Sequence, residues 1–455
     1  MNKLLAGLFL GALLLIPTAC VSEMGDLGIK LTLDQRKLSN GLNVIMVEDH
    51  TVPIVSYQSW FRVGSVDEHP GITGISHLFE HLMFKGTPKY GPKEFFQQLE
   101  AKGAEVNAFT TRDYTCYYEN FTPDLLEKVL DMESDRMANL TLTDDVLNSE
   151  RMVVLEERRL RTDNSPEGRI QEALWGLAFH YHSYQWPVIG SPQDVMAITT
   201  DQLKEYFKSH YQPANAAIII VGDFDRDKTF NLIKKYYNPI QAVPRPVRSI
   251  RPEPEQQEER TLILRDEIAS ERFAEAYHVT AADQDDSYSL DVLSNILFEG
   301  TTSRAYRKLV EELDIATGVG GSNYTPTYPG LFTIDVSMKR GTSSSQAKLA
   351  LDQVIGEVQT KGVTSEEVKV AVKQLTVQTV DSVRTFYGLG QLIGIVETIF
   401  GNPKRYADDL AKYTKITPAE VQRVSLKYLI PNNRSIVTML PGVAPQVSVD
   451  EGDDQ

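Results

Sequence analysis

Apolar and polar residues alternate with two different periods along this chain, and the periods distinguish strands from helices. Between residues 41 and 63 apolar residues recur at about every second position, which predicts strands. Helical spacing predicts a helix over 92–102, ended by Gly103, and a longer helix over 144–161, with Thr143 and Asp144 as candidate N-caps. The pattern therefore predicts an α+β fold.

One combination of helix and strand occurs twice, which predicts an internal duplication. The segment 198–221 has the order Ile-Thr, helix, Tyr, Pro, Asn and apolar strand, and 416–440 repeats that order about 218 residues later. Between the copies, prolines and charged residues cluster over 239–258 and predict a semi-rigid linker. We therefore expect two homologous sheet-plus-helices domains, 25–238 and 259–446.

Size and charge narrow the class of protein. A chain of 455 residues that is 42% hydrophobic can bury two or more cores. Its formal net charge of −16 argues against nucleic acid as a partner and mildly favours cationic peptides. After residue 20, no stretch is long and apolar enough to predict a membrane span.

The composition of the two ends of the chain indicates where in the cell the protein is found. Residues 1–20 combine an early lysine, an apolar run and small residues before Cys20, which predicts a bacterial export signal and lipidation of Cys20. The alternative is simple cleavage near Ala19 and a soluble exported enzyme. We expect a periplasmic protein that contacts a membrane only through a lipid anchor. The acidic tail 447–455 is predicted to be disordered.

The most informative short motif is His77-Leu78-Phe79-Glu80-His81. On a helix its two histidines are four residues apart on one face, so both imidazoles can hold one metal ion. Glu80 lies beside the second histidine, where a carboxylate can activate a metal-bound water. This order reverses the thermolysin-type motif and is called inverzincin. The alternative is an amphipathic helix with two surface histidines.

A third ligand is expected, because zinc with two histidines commonly takes a carboxylate and keeps one position open for water. In the predicted helix 144–161, Glu150 and Glu157 lie seven residues apart on the stripe that also carries Val146 and Val153. Carboxylates on a core-facing stripe are costly unless a cation or a donor compensates them. Either a metal ion does so, or the helix turns both glutamates into solvent.

Together these motifs resemble the pitrilysin/insulinase family of zinc peptidases, in the branch that holds mitochondrial processing peptidase and its bacterial relatives. The resemblance rests on HLFEH, on FKGT at 84–87, on NAFT at 107–110 and on the two glutamates, and it covers nearly the whole mature chain. In that family the third ligand follows the second histidine at about the distance between His81 and Glu157. Glu156 lies near the same distance but has no glutamate seven residues before it, so Glu157 is the expected ligand.

The resemblance implies a fold and a mechanism. Each half would be a sheet with helices on one face, and the halves would form one side of a clamshell chamber. His77, His81 and Glu157 would hold one zinc ion per chain. Glu80 would be the catalytic base, and Glu150 would orient a ligand or a substrate amide. A peptide would pair with an edge strand through the substrate-binding residues Asn107, Ala108, Phe109 and Thr110. The alternative for Asn107 is a turn-capping amide.

One departure from the family pattern concerns partners. The LFEG sequence at 297–300 resembles LFEH without histidines, so only the first half is expected to be catalytic. After Ser303-Arg304, relatives carry an arginine and, seven residues later, a tyrosine that contact substrate carbonyls. Val310 and Thr317 occupy those positions here. The resemblance implies a homologous, metal-free partner subunit that supplies the pair, and a homodimer remains the alternative.

Two other classes of function remain open at this point. One is a peptidase-like scaffold that binds without cutting, which the complete ligand set argues against. The other is a zinc hydrolase of a non-peptide amide, which the peptide-pairing strand argues against. His180, His182 and Tyr184 are interpreted as packing or surface residues. The expected function is a zinc-dependent endopeptidase acting on unfolded peptides or small polypeptides.

Overall fold

The computed structural model describes residues 19–24 and 29–442. Most of the predicted export signal, and the tail 447–455, lie outside the described residues. Cys20 lies on the first strand, but its side chain is not described, so its lipidation stays a prediction. Within the described ranges, no helix combines the length and the apolar character that crossing a membrane requires.

Strands and helices follow one another in an order that repeats between the halves. The strands are β1 (Ala19–Met24), β2 (Ile29–Lys37), β3 (Asn43–Glu48), β4 (Val55–Phe61), β5 (Glu105–Thr110), β6 (Thr115–Phe121), β7 (Ala216–Gly222), β8 (Arg260–Asp266), β9 (Arg272–His278), β10 (Ala316–Tyr324), β11 (Leu331–Met338) and β12 (Arg434–Pro441). The helices are α1 (Ile75–Leu82), α2 (Glu94–Glu100), α3 (Leu126–Asn139), α4 (Asp144–Arg158), α5 (Pro166–Ala178), α6 (Pro192–Ala197), α7 (Thr200–His210), α8 (Arg226–Tyr237), α9 (Asp286–Phe298), α10 (Arg304–Tyr306), α11 (Ser344–Lys361), α12 (Ser365–Ser382), α13 (Phe386–Phe400), α14 (Arg405–Tyr413) and α15 (Pro418–Tyr428).

The two sheets share one strand order over five positions. The first sheet runs β1-β2-β3-β7-β4-β6-β5, and the second, read from its other edge, runs β8-β12-β9-β11-β10. In each sheet the first two of the five common strands are parallel, and every later pair is antiparallel. The predicted duplication of an α+β unit is therefore confirmed, with β1 and β2 added to the first sheet.

The segments that carried the sequence repeat fold alike. Thr199 is the N-cap of α7 and Thr417 is the N-cap of α15. Both form capping boxes, in which the threonine hydroxyl accepts a backbone N–H and a side-chain oxygen accepts the threonine N–H. Each helix then leads through a short 3₁₀ turn into a central strand, β7 or β12. The repeat that the sequence shows thus consists of one helix and the strand that follows it.

Each half contributes one helix to the sheet of the other half. α13, from the second half, packs across β4 and β7, where Ile393 and Val396 meet Trp60 and Ile219. α5, from the first half, packs across β8, β9 and β12. A half's own helices cover one face of its sheet, and the exchanged helix covers the other. Burial on both faces explains why all seven residues of β7 are buried and apolar.

The predicted linker runs along the first half. Residues 238–259 form neither helix nor strand. Arg248 donates to both carboxylate oxygens of Asp67 at 2.8 Å, and also to the backbone carbonyl of Asp113. Glu253 accepts backbone N–H groups from residues 180–182. These bonds hold the segment against the first half, while the domain boundaries themselves stay predictions.

The close approach of α13 to the first sheet depends on glycine. A Cβ at Gly394 would lie 2.1 Å from the Trp60 ring. Alanine normally stabilises an open helix by about 1 kcal/mol relative to glycine, whereas overpacking costs about 1–3 kcal/mol. We predict that Gly394→Ala lowers the Tm measured by circular dichroism. The control is Gly356→Ala in α11, where a Cβ would meet nothing within 4 Å, and this change should raise the Tm. Similar shifts for both variants would contradict the packing described here.

Candidate metal centre and active site

The HLFEH motif forms α1, as predicted, and a buried carboxylate caps its first turn. Glu68 accepts hydrogen bonds from the N–H of Gly74 at 2.7 Å and of Ser76 at 2.9 Å. Gly74, with a φ of 89°, adopts the left-handed conformation that favours glycine. A carboxylate at a helix start satisfies N–H groups that the helix leaves free. The sequence analysis did not identify Glu68, because no short motif links it to the helix.

α4 brings both predicted glutamates beside α1. Of the two candidate N-caps, Thr143 is the N-cap and its hydroxyl accepts a backbone hydrogen bond, whereas Asp144 is the first residue of the helix. The α-helical part ends at Arg158, three residues earlier than expected, and a wider turn over Arg159–Asp163 continues it. α4 packs against α1. Glu150 is buried and Glu157 is partly buried, so the helix does not turn both glutamates into solvent.

Three of the predicted side chains converge on one point. His81 Nε2 lies 3.1 Å from Glu157 Oε2, and His77 Nε2 lies 3.8 Å from the same oxygen. One ligand atom from each of the three residues lies within 4.8 Å of the others. Tetrahedral zinc with bonds of about 2.0–2.1 Å separates its ligand atoms by roughly 3.3 Å. The three side chains therefore suit a zinc ion in size and in chemistry.

Burial and neighbouring charges set the protonation of the two imidazoles. Burial and the nearby His81 lower the pKa of His77 to about 4, so His77 is neutral at neutral pH and has a lone pair to offer. Burial also opposes a charge on His81, but Glu150 and Glu157 outweigh it and raise that pKa to about 9. Without metal, a proton on His81 supplies positive charge to two carboxylates. A bound divalent cation would supply that positive charge in place of the proton.

Glu150 lies behind His81 and not among the three converging atoms. Its Oε2 is 3.6 Å from His81 Nδ1, and its Oε1 is 2.5 Å from Lys85 Nζ. Burial opposes ionisation of Glu150, but His81 and Lys85 outweigh it and lower its pKa. A carboxylate in this position fixes the orientation of a metal-binding imidazole. Lys85 belongs to the FKGT motif, but the sequence analysis gave it no role of its own.

Glu80 is placed next to the edge strand β5. Burial raises the pKa of Glu80 above its ordinary value, and a hydrogen bond with Thr110 offsets part of that rise. A carboxylate with a raised pKa is a stronger base, which suits proton transfer near neutral pH.

Arg161 was also missed by the sequence analysis. It forms an ion pair of 2.8 Å with Glu157 Oε1 and leaves the other oxygen facing the histidines.

The four residues predicted to bind substrate point in alternate directions along β5, which is an edge strand of the first sheet. Ala108 packs on the α1 side, and Thr110 lies on that side also. Phe109 turns to the other face, with its ring centroid 5.8 Å from that of Trp60. Asn107 is exposed, and its Oδ1 accepts the N–H of Ala108 at 2.8 Å. The Phe109 side chain therefore contributes to sheet packing, while Asn107 and the backbone edge remain accessible.

The aromatic loop lies at the junction of the halves, separate from the converging ligands. His182 Nδ1 accepts the N–H of Tyr184 at 3.1 Å, and the Tyr184 hydroxyl donates to Asp113 at 2.8 Å. The backbone N–H of His180 donates to Glu253. These contacts agree with the interpretation of the three residues as packing and surface groups.

Comparison with known proteins identifies one peptidase family. The profile described as "Insulinase (Peptidase family M16)" matches residues 43–191, and "Peptidase M16 inactive domain" matches residues 197–375. Zinc protease PqqE of Helicobacter pylori is 35% identical over 287 residues, which are 62% of this chain and 64% of that protein. The chain thus spans less than two thirds of this relative's length. An uncharacterized zinc protease of Streptomyces coelicolor is 26% identical over 88% of both chains.

A solved structure shows the same architecture. A protease from Helicobacter pylori superimposes with a TM-score of 0.86 at 26% identity, covering 90% of this chain and 100% of that chain. The similarity extends across both sheets and is not confined to the helices that carry the candidate ligands.

Zinc content tests the choice of the third ligand. We predict that Glu157→Ala loses most of its bound zinc, because a site with two ligands holds the ion far less tightly than one with three. Glu156→Ala is the matched control, since the Glu156 side chain is 54% exposed and pairs with Arg159 instead. Zinc per chain is measured by atomic emission after dialysis. Loss of zinc from the Glu156 variant and retention in the Glu157 variant would reverse the assignment.

Proposed function

Because the chain belongs to the insulinase family of peptidases, family M16, we propose that it is a zinc-dependent endopeptidase. Its substrates are unfolded peptides or small polypeptides, cleaved inside a closed chamber, and it is the active subunit of a heterodimer. The proposal includes export and anchoring through Cys20, supported by the composition of residues 1–20.

One observation carries the proposal: a complete set of hydrolytic groups lies within two packed helices. One ligand atom from each of His77, His81 and Glu157 lies within 4.8 Å of the others, which suits a zinc ion, and Glu80 stands beside them. A peptidase-like scaffold that binds without cutting has no need of a base next to three ligands. We therefore favour hydrolysis over binding alone.

The chain's own groups divide the chemistry among them. When bound, zinc supplies Lewis acidity, which polarises a carbonyl and acidifies a coordinated water. Glu80 accepts a proton from the attacking water and returns it to the leaving amine, which its raised pKa favours. Glu150, held by Lys85, keeps the His81 ring in place.

Substrate recognition follows from the position of β5. An edge strand offers backbone N–H and C=O groups to an extended peptide, and such pairing tolerates many sequences. The N–H of Ala108 is engaged by Asn107 in the absence of substrate. A peptide carbonyl replaces that contact and frees the Asn107 amide to bind the peptide backbone. Pairing along β5 places the peptide next to Glu80, which bonds Thr110.

Two residues in the second half of the chain are the reason for proposing a partner subunit. Val310 packs against the second core, and valine donates no hydrogen bond. The Thr317 hydroxyl donates to the backbone carbonyl of Ser337 at 3.2 Å, so it is engaged within its own sheet. Neither side chain can replace the arginine and tyrosine that the family resemblance expects. Two missing donors weaken substrate positioning, by about 1 kcal/mol or more each in a shielded site.

The role of Glu80 is tested by an isosteric change. Glu80→Gln should retain zinc and lower turnover of an unstructured peptide by on the order of a hundredfold or more, because the amide cannot accept the proton. The control is Glu156→Gln, an exposed glutamate on α4 that should keep wild-type turnover. Turnover close to wild type in a zinc-loaded Glu80 variant would leave the proposal without a base and would favour a scaffold.

The heterodimer is tested by reconstitution. The purified chain alone should bind zinc but cleave peptides poorly, since it lacks two donors for the substrate. Addition of a metal-free homologue that carries the arginine–tyrosine pair should restore cleavage. The same homologue added to the Glu80→Gln variant should restore nothing, because the base belongs to this chain. Full activity of the isolated chain as a monomer or homodimer would overturn the heterodimer and leave the zinc chemistry standing.

A further inference from the structure

A polar cavity lies on the face of the first sheet opposite to the candidate metal centre. Its volume is about 210 Å³. Trp60, which faces α13, lines it, whereas α1 packs on the other face of that sheet. Three parts of the chain meet at the cavity: the first sheet, the linker and the end of α13. Its main polar lining residues are Lys37, Asn43, Arg62, Asn215, Arg245 and Glu397.

Three cationic side chains, Lys37, Arg62 and Arg245, line this cavity, and none of them forms an ion pair with a described residue. Burial, with the nearby charges of Arg245 and Arg248, lowers the pKa of Arg62 to about 10, which leaves it charged at neutral pH. Among the residues that the structure describes, neither Arg62 nor Arg245 forms an ion pair or a side-chain hydrogen bond. Arg248, by contrast, is paired with Asp67 at 2.8 Å. Arg62 is partly buried and Arg245 is exposed, so both guanidinium groups are free to bind an anionic ligand.

One carboxylate faces these cations across the cavity. Glu397, at the end of α13, is 6% exposed. Its Oε1 accepts a hydrogen bond from Asn43 at 2.7 Å, while its Oε2 is buried and has no partner among the described residues. Among the described residues, no lysine or arginine nitrogen lies within ion-pairing distance of Glu397, so a gap remains between the positive and negative groups that line the cavity. A buried carboxylate oxygen normally has a donor.

We propose that this cavity binds a small organic acid that carries a hydrogen-bond donor next to its carboxylate, as an amino acid or a hydroxy acid does. The ligand carboxylate lies between Arg62 and Arg245, since guanidinium groups bind carboxylates through paired hydrogen bonds. The ammonium or hydroxyl group donates to Glu397 Oε2. A cavity of this volume suits a molecule of amino-acid size and not a nucleotide.

Such a ligand joins parts of the chain that are distant in sequence. Arg62 belongs to the first half, Arg245 to the linker and Glu397 to the helix contributed by the second half. A ligand that contacts all three binds the folded chain and not the unfolded chain, so it raises the apparent stability. This site is independent of the proposed peptidase activity.

The test uses the full chain and four probes: glycine, citrate, acetate and inorganic phosphate, at one ionic strength set with sodium chloride. Isothermal titration should show saturable binding of glycine or citrate, with acetate weaker by about tenfold or more because it has no donor for Glu397. Arg62→Gln should weaken the binding by about tenfold or more. The control Arg340→Gln, at an exposed position outside the cavity, should leave it unchanged.

A second variant keeps the proposal falsifiable if the Arg62 variant unfolds. Glu397→Gln should remove the preference for glycine or citrate over acetate, because the amide is a poorer acceptor than the carboxylate. Binding of phosphate alone would show an oxyanion site that does not recognise a hydrogen-bond donor on the ligand. This result would overturn the assignment of an organic acid. Absence of saturable binding by every probe, or equal binding by the Arg62 and Arg340 variants, would overturn the site itself.

Discussion

The candidate metal centre is organised around one requirement: several ionisable side chains must be buried together without leaving any charge uncompensated. Glu150 lies on the inner face of α4, and water cannot stabilise its charge there. Lys85 and His81 do so instead. Glu157 faces both histidines with one oxygen and Arg161 with the other. Glu150 and Glu157 therefore each have a positively charged neighbour. The negative charge that is not yet balanced lies at the point where the three ligand atoms converge.

The surrounding fold keeps those side chains in register. The HLFEH helix is fixed at its start by Glu68 and packs beside α4. The sheet beneath it is covered on its far face by α13, which comes from the other half of the chain. Because each half contributes a helix to the other's sheet, neither half has a complete core by itself. The exchange thus couples the second half to the stability of the half that carries the candidate ligands.

Much of this arrangement could be predicted from short-range patterns. The four-residue spacing of His77 and His81 and the seven-residue spacing of the two glutamates fix which side chains share a helix face, whatever the rest of the fold. The repeated helix–strand segments predicted the duplication for a similar reason. The exchange of α5 and α13 could not be predicted, since an apolar helix stripe does not specify which sheet face it covers. The contacts of Glu68 could not be predicted, because a loop and not a regular helix or strand spacing brings it to the start of α1.

The central claim is that two imidazoles and the Glu157 carboxylate hold zinc and leave one position open. X-ray absorption at the zinc edge of the zinc-loaded chain tests it most directly. The account predicts nitrogen and oxygen ligands at about 2.0–2.1 Å, multiple scattering from two imidazoles, and no sulfur. A sulfur shell at about 2.3 Å, or scattering from fewer than two imidazoles, would contradict it.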